Sequence, residues 1–316
     1  MGTEQVLVVG CGVIGLTSGI ELQRAGYRVT IAARELPPHT VSTVAAAIWS
    51  PYAVAPRERC EGWARASYRV FGELARDPAS GVTLRSGVEL HPPGSEAPGL
   101  LRELPNARSA RAEELRPGYT SGVVFDAPVI ETPIHVPWLM QKFQAAGGSI
   151  EVAMFGSLDA ALARAPIVIN CSGLGARELA PDASVYSIRG QILRVERGAL
   201  ERFALGHDPA GGTTYVIPRS NDCILGGTRE EHSVELLPNA IQTDDIQRRC
   251  RVLVPELGER EVLETLVGRR PGRPSVRLEP ERRAGGLIVH NYGHGGGGVT
   301  LSWGCAHEVL EVLREQ

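Results

Sequence analysis

Val6-Leu7-Val8-Val9-Gly10-Cys11-Gly12-Val13-Ile14-Gly15 is the stretch that decides the fold of this chain. Four consecutive apolar residues have the pattern of a strand buried on both faces. They run into glycines at GxGxxG spacing, and an amphipathic stretch follows from Leu16 to Ala25. The first glycine of such a turn bends the backbone tightly, the second admits a pyrophosphate, and the third lets helix and strand pack closely. Gly26 then reads as a helix C-cap and Arg28 to Ala33 as the next strand. This strand, turn, helix and strand predict a Rossmann-type dinucleotide unit whose pyrophosphate lies on Gly10, Cys11, Gly12, Val13, Ile14 and Gly15.

A second glycine-rich site lies near the C-terminus. Leu287 to Val289 lead into His290-Asn291-Tyr292-Gly293-His294, then Gly295 to Gly298, then Val299-Thr300-Leu301-Ser302-Trp303-Gly304. Glycine removes the Cβ that keeps a backbone away from a flat or phosphorylated ligand. A helix starting near Val299 would point its positive end at whatever sits above the loop. That charge suits a reduced isoalloxazine, which carries negative charge at N1 and the C2 carbonyl.

Between these ends, parallel and antiparallel patterns alternate. Residues from about Pro78 to Pro133 are rich in Pro, Gly and Arg and suit an antiparallel insertion. A helical stripe after Pro137 (Trp138, Leu139, Phe143), a strand from Ser149 to Phe155, a short helix from Leu158 and a buried strand Ile167–Cys171 restore α/β logic. From Val185 to Leu263 the pattern is again antiparallel, with a turn at Arg219-Ser220-Asn221-Asp222. The expected class is α/β: a Rossmann-like domain of residues 1–75, 134–182 and 264–316, interleaved with an antiparallel-sheet substrate domain of residues 76–133 and 183–263.

With 43% hydrophobic residues and a formal net charge of -3, the 316-residue chain has the balance of a soluble globular protein, and nothing in it points to nucleic acid. Its 33 basic residues include one lysine, Lys142, so each argument from an arginine must exceed a high background. The six dispersed cysteines suggest free thiols in a reducing compartment. No leader, membrane span or peroxisomal address is evident, so the cytoplasm is expected, and the chain is compatible with a homodimer. His290 and His294 are four apart in a strand and glycine loop with no third ligand near, so no metal site is expected. No GxSxG occurs to suggest a hydrolase.

A NAD-binding fold usually ends its second strand in an acid that takes the ribose hydroxyls. Here that strand ends Ala33-Arg34, with Glu35 only afterwards. Together with the C-terminal glycine loop this favours a flavin. The chain resembles the D-amino acid oxidases and D-aspartate oxidases, FAD enzymes of the glutathione-reductase type of fold. The resemblance rests on Val9 to Gly15, Val44-Ala45-Ala46-Ala47-Ile48-Trp49-Ser50-Pro51-Tyr52, Asn170-Cys171-Ser172-Gly173, Arg189-Gly190-Gln191, His207-Asp208-Pro209, Tyr215-Val216-Ile217-Pro218, Arg270-Pro271-Gly272-Arg273-Pro274 and Asn291 to Gly296 with Trp303-Gly304. It implies FAD-dependent oxidation of a D-amino acid by hydride transfer from Cα to flavin N5. Hydrolysis of the imine gives a 2-oxo acid and ammonia, and O2 is reduced to H2O2.

The same resemblance implies residue roles. Arg270 grips the substrate carboxylate, Tyr215 donates its hydroxyl to it, and the Gly296 carbonyl accepts from the amine. Ser50 and Tyr52 border the substrate. Arg34 lies at the adenosine, where Glu35 substitutes for the missing acid, and the Phe155 backbone meets the adenine. Ser172 and Gly173 lie at the diphosphate, and Ser42, Ala46, Ala47, Ile48, Gly295, Gly298, Val299 and Thr300 face the flavin. Relatives often carry a lid tyrosine where this chain has Gly211-Gly212-Thr213-Thr214, which suggests a more open entrance. Arg229 has two readings. It holds a side-chain carboxylate, as in D-aspartate oxidases, if hairpin register turns it inward, or it pairs outward with Glu230 or Glu231. In the second case neutral D-amino acids are the expected substrates. A glycine or sarcosine oxidase relative fits the RPxRP and HNYGHG segments less well, and a flavoprotein without oxidase activity is a further alternative.

Overall fold

The computed structural model describes residues 4–51, 54–208 and 212–316; Tyr52 and the lid position Gly211 lie outside them. In chain order the strands are β1 (Gln5–Val9), β2 (Arg28–Ala33), β3 (Val82–His91), β4 (Arg108–Ser109), β5 (Ser121–Ile130), β6 (Ser149–Val152), β7 (Ile167–Asn170) and β8 (Tyr186–Glu196). They continue with β9 (Phe203–His207), β10 (Thr213–Pro218), β11 (Asp222–Gly226), β12 (Glu230–Glu231), β13 (Val262–Gly272), β14 (Arg277–Arg283) and β15 (Gly286–Tyr292).

The first sheet has the order β14-β15-β7-β1-β2-β6 and is parallel except for the edge strand β14. Its strands are buried on both faces, which is why they read as apolar runs rather than alternations. Val6, Val8, Ile31, Ile169 and Val289 join the large core on one side. Leu7, Val9, Ala32, Val168 and Ile288 pack on the other with Leu158 and Leu162 of the short Leu158–Leu162 helix. The Val13–Arg24 helix links β1 to β2, and Gly26 follows it with φ +94°, the left-handed conformation that ends a helix.

The second sheet runs β12-β8-β11-β10-β9-β3-β5-β4, with β13 also paired to β8. It is antiparallel apart from the β3–β9 pair. Residues 46–49 run along β5 of the second sheet: Ile48 bridges Val129, Trp49 N donates to the Pro128 carbonyl at 2.8 Å, and Ile130 N donates to the Ala47 carbonyl at 2.8 Å.

Three local features differ from expectation. The helix read after Pro137 begins at Thr132, with Pro133 in its first turn, where a missing N–H costs nothing. A helix, Ala240–Leu253, occupies part of the stretch expected to be antiparallel, and it packs Ile246, Cys250 and Leu253 inward. The expected division at residue 264 falls inside β13, whose pairing from Val262 to Gly272 with β8 places it in the second sheet. All six cysteines are buried free thiols. No described helix is long and apolar enough to cross a membrane.

Candidate active site

The parallel strands all end at one edge of the first sheet. There β1 delivers Gly10, β2 delivers Arg34, β7 delivers Ser172 and β15 leads to Gly295, so a crevice opens outside the carboxyl ends, where ligands bind in such sheets. A cavity of about 780 Å³ begins there and continues to the face of the second sheet.

Glycines shape its dinucleotide end. Gly10 has φ +118°, and a Cβ on it would lie 2.4 Å from the Cys171 carbonyl oxygen. A Cβ on Gly15 would lie 1.9 Å from the Gly10 oxygen, so helix and strand meet backbone to backbone. This is the close helix-on-strand packing expected of the third glycine of the motif. Gly10, Cys11, Gly12, Val13, Ile14, Arg34, Ser42, Ala46, Ala47, Ile48, Phe155, Ser172 and Gly173 all line the cavity. Ser42 Oγ accepts from Val13 N at 3.0 Å and ties the flavin-side run to the glycine turn. Ala47 has φ +46°, a left-handed conformation that a β-carbon disfavours. Burial pushes the Cys11 and Cys171 thiols up to about 12, so both stay protonated and unreactive beside the ligand.

At the other end, Gly295, Gly296, Gly298, Val299 and Thr300 form the wall, with Gly295 at φ +52° donating N–H to the Pro271 carbonyl at 2.8 Å. The Gly298–Arg314 helix begins there and presents its N-terminal turn to the cavity. The side-chain space of Gly297 is filled by Val54, whose Cγ1 would lie 2.5 Å from a Cβ.

Arg270 and Tyr215 meet opposite this loop. A Cβ on Gly296 would lie 3.7 Å from Arg270 Cδ, so Gly296 and the arginine share one corner. The guanidinium lies over Gly190 of β8, where a Cβ would approach Arg270 Nη1 to 2.3 Å, and Nη1 donates to the Thr228 carbonyl at 3.1 Å. Tyr215 is seated in the same way on Gly226 and Gly227: a Cβ on Gly226 would come within 2.2 Å of its ring and one on Gly227 within 2.5 Å of its hydroxyl oxygen. Burial raises the Tyr215 phenol pKa and the Arg270 charge opposes the rise, so the hydroxyl stays a neutral donor beside a cation.

Strand register sets the rest of this wall. Tyr215 pairs with Leu205 and Thr213 with His207, so these four side chains share one face, and all line the cavity. Ser50 also lines it, held through Thr300: its N–H donates to Thr300 Oγ1 at 3.3 Å, and Thr300 Oγ1 donates back to the Ser50 carbonyl at 3.1 Å. Arg229 combines its two expected positions. It borders the cavity, and its Nη2 is 2.8 Å from Glu231 Oε1. The hairpin loop between Pro218 and Cys223 has four residues, 219–222, and β11 ends at Gly226, so strand alternation no longer dictates where Arg229 faces. Sequence reasoning gave no role to Gly190, Gly227, Thr228 or His207, because each acquires one only through a partner on another strand. His290 and His294 do not converge: His290 Nε2 lies 2.8 Å from Glu281 Oε2, and burial lowers His294 to about 3, leaving it neutral in the wall.

A family model described as DAO, FAD dependent oxidoreductase, matches residues 5–312. The chain is 49% identical over 310 residues to a D-amino-acid oxidase of Rubrobacter xylanophilus, covering 98% of this chain and 95% of that relative. It is 42% identical to a D-amino-acid oxidase of Streptomyces coelicolor (98% and 96% covered) and 33% identical to human D-aspartate oxidase (100% and 96% covered). Among solved structures, glycine oxidase from Geobacillus kaustophilus superposes with a TM-score of 0.79 at 18% identity, over 99% of this chain and 96% of that one, a likeness of fold alone. The chain belongs to the D-amino acid oxidase family of FAD-dependent oxidoreductases.

Proposed function

We propose that the protein oxidises D-amino acids with FAD, producing a 2-oxo acid, ammonia and H2O2. The observation that carries this reading is the convergence of Arg270, Tyr215 and Gly296 at the flavin end of a cavity that starts at a dinucleotide turn. FAD fits the residues present: the glycine turn and Ser172 suit its diphosphate, Phe155 and Arg34 flank the adenosine end, and Ala46 to Ile48 with Gly295 to Thr300 suit the ring. When bound, FAD supplies the hydride acceptor and, on reoxidation by O2, the peroxide.

The chain's own residues position the substrate. The planar fork of Arg270 takes the carboxylate in a bidentate pair, and Gly190 beneath it fixes the plane of the fork. Tyr215 adds a neutral hydroxyl donor to the same carboxylate, and the Gly296 carbonyl accepts from the amine. With carboxylate and amine both held, only one enantiomer can present its Cα hydrogen to the ring while its side chain enters the Leu205, Thr213 and Ile217 side of the cavity. The apolar share of that wall favours neutral side chains. Interleaved units are part of the same reading, with the cofactor-side unit resuming after Gly272 rather than at 264, because β13 and its Arg270 belong to the second sheet. The buried free thiols fit a cytoplasmic location.

Peroxide release is expected from D-alanine and larger neutral D-amino acids and not from their L-forms; equal rates on both enantiomers would refute the assignment of the pocket. A second reading keeps acidic substrates, because Arg229 borders the cavity while paired with Glu231. An exposed pair of this kind is worth no more than about 1 kcal/mol, so a substrate carboxylate can compete for the guanidinium. The ratio of kcat/KM for D-aspartate to that for D-asparagine is expected to fall about tenfold in Arg229→Ala if the arginine turns inward on binding. An unchanged ratio leaves Arg229 with its pairing to Glu231.

A further inference from the structure

Three side chains on the cavity face of the second sheet have no part in the proposed oxidation. Glu89 of β3 lies beside Leu205 of β9, and one two-residue step along each strand brings His91 and His207 onto the same face. Glu89 Oε1 is 3.0 Å from His207 Nε2 and 3.3 Å from His91 Nε2. The two imidazoles stack with centroids 4.8 Å apart and planes 20° apart. Each residue offers one ligand atom, and the three atoms lie within 4.8 Å of one another. Glu89 and His91 are 1% and 2% exposed, and His91 Nε2, pointing into the group, satisfies no hydrogen bond.

We propose that Glu89, His91 and His207 form a binding site for a first-row divalent cation, of which Zn2+ is the natural probe. Two imidazole nitrogens and a carboxylate are a donor set that zinc accepts with a further position left open. In a tetrahedral shell with bonds of about 2.0–2.1 Å the ligand atoms stand about 3.3 Å apart, close to the two separations seen here. A cation among them balances the buried carboxylate and takes up His91 Nε2, which faces Glu89 Oε1 at 3.3 Å without a satisfied hydrogen bond. Ser50 Oγ, 3.3 Å from Glu89 Oε2, steadies the second carboxylate oxygen from outside. Because His207 and Ser50 both line the cavity, an ion enters from the substrate side.

The test uses the FAD-loaded enzyme after EDTA treatment, dialysed against Zn2+. One equivalent per chain is expected to be retained, with X-ray absorption showing nitrogen and oxygen ligands that include imidazole, and no sulfur. Glu89→Gln and His91→Asn are each expected to weaken zinc binding about a hundredfold, whereas His307→Asn, at a half-exposed histidine outside the group, leaves it unchanged. No retained zinc, sulfur in the coordination shell, or undiminished affinity in both variants overturns the proposal. Should a variant lose its flavin, the wild-type absorption spectrum decides alone. None of these readouts depends on oxidase activity, so failure here and failure of the proposed function are separate results.

Discussion

Replacing Arg270 with alanine is expected to lower kcat/KM for D-amino acids by about two to three orders of magnitude while the flavin stays bound. The guanidinium is built into the wall: Gly190 lies beneath it, Gly296 beside it, and the Thr228 carbonyl accepts from one nitrogen at 3.1 Å. Removing one member of a desolvated, charge-assisted pair costs about 2–5 kcal/mol, and each 1.4 kcal/mol is about a factor of ten. The middle of that range gives the stated loss. Lysine is expected to restore little, since a point charge cannot reproduce a planar fork over a glycine. The measurement is steady-state kinetics of peroxide release, with the flavin absorption spectrum as the control for folding. Wild-type kcat/KM in Arg270→Ala would transfer the carboxylate to another arginine; Arg269, which also lines the cavity, would be the first to examine.

Gly15→Ala is expected to strip the enzyme of FAD, reducing the flavin recovered on purification at least about tenfold. The new methyl would lie 1.9 Å from the Gly10 carbonyl oxygen, a backbone atom that no side-chain movement can carry away. Overpacking of this kind costs about 1–3 kcal/mol or more. Here the cost is paid by separating the Val13–Arg24 helix from β1, which opens the pyrophosphate turn. Because the cofactor binds only the folded state, its loss lowers the midpoint of thermal unfolding further. Gly62→Ala is the matched control: a Cβ there meets nothing within 4 Å, and the position lies inside the Arg57–Leu74 helix, so stability is expected to hold or rise slightly. Normal flavin content in Gly15→Ala would mean that the helix shifts without disturbing the turn.

The dinucleotide half was legible because its signals are local. An apolar run, three glycines and a helical stripe lie within about twenty residues, and each residue type answers a backbone demand at its own position. The C-terminal loop was legible on the same ground, with its helix found from Gly298, one residue from where it was expected. The Ala240–Leu253 helix was not, since its inward stripe of Ile246, Cys250 and Leu253 is thin in a segment otherwise polar and flanked by strands. The packing role of Gly15 was legible from its place as the third glycine of the motif, and the 1.9 Å at which a Cβ on it would meet the Gly10 oxygen shows how close that packing is.

The substrate side divides along the same line. Arg270, Tyr215 and Gly296 could be named only through the family resemblance of the segments that carry them. That Gly190 seats the arginine and Gly226 and Gly227 the tyrosine could not be read, since Gly190 acts through the distant strand β13 and the other two through cross-strand contact in the β10–β11 hairpin. The Glu89, His91 and His207 group is of the same kind: β3 and β9 lie more than a hundred residues apart and meet only in the parallel register of the second sheet. Arg229 shows the limit most plainly, for it stands just past the end of β11, where alternation no longer determines a direction. The amino-acid sequence alone determined the cofactor turn, the α/β class and the chemistry available, because backbone conformation and side-chain type are properties of short segments. Which residues face one another across the cavity was decided by strand register and by backbone approaches closer than a methyl group, and those exist only once the two sheets have closed on each other.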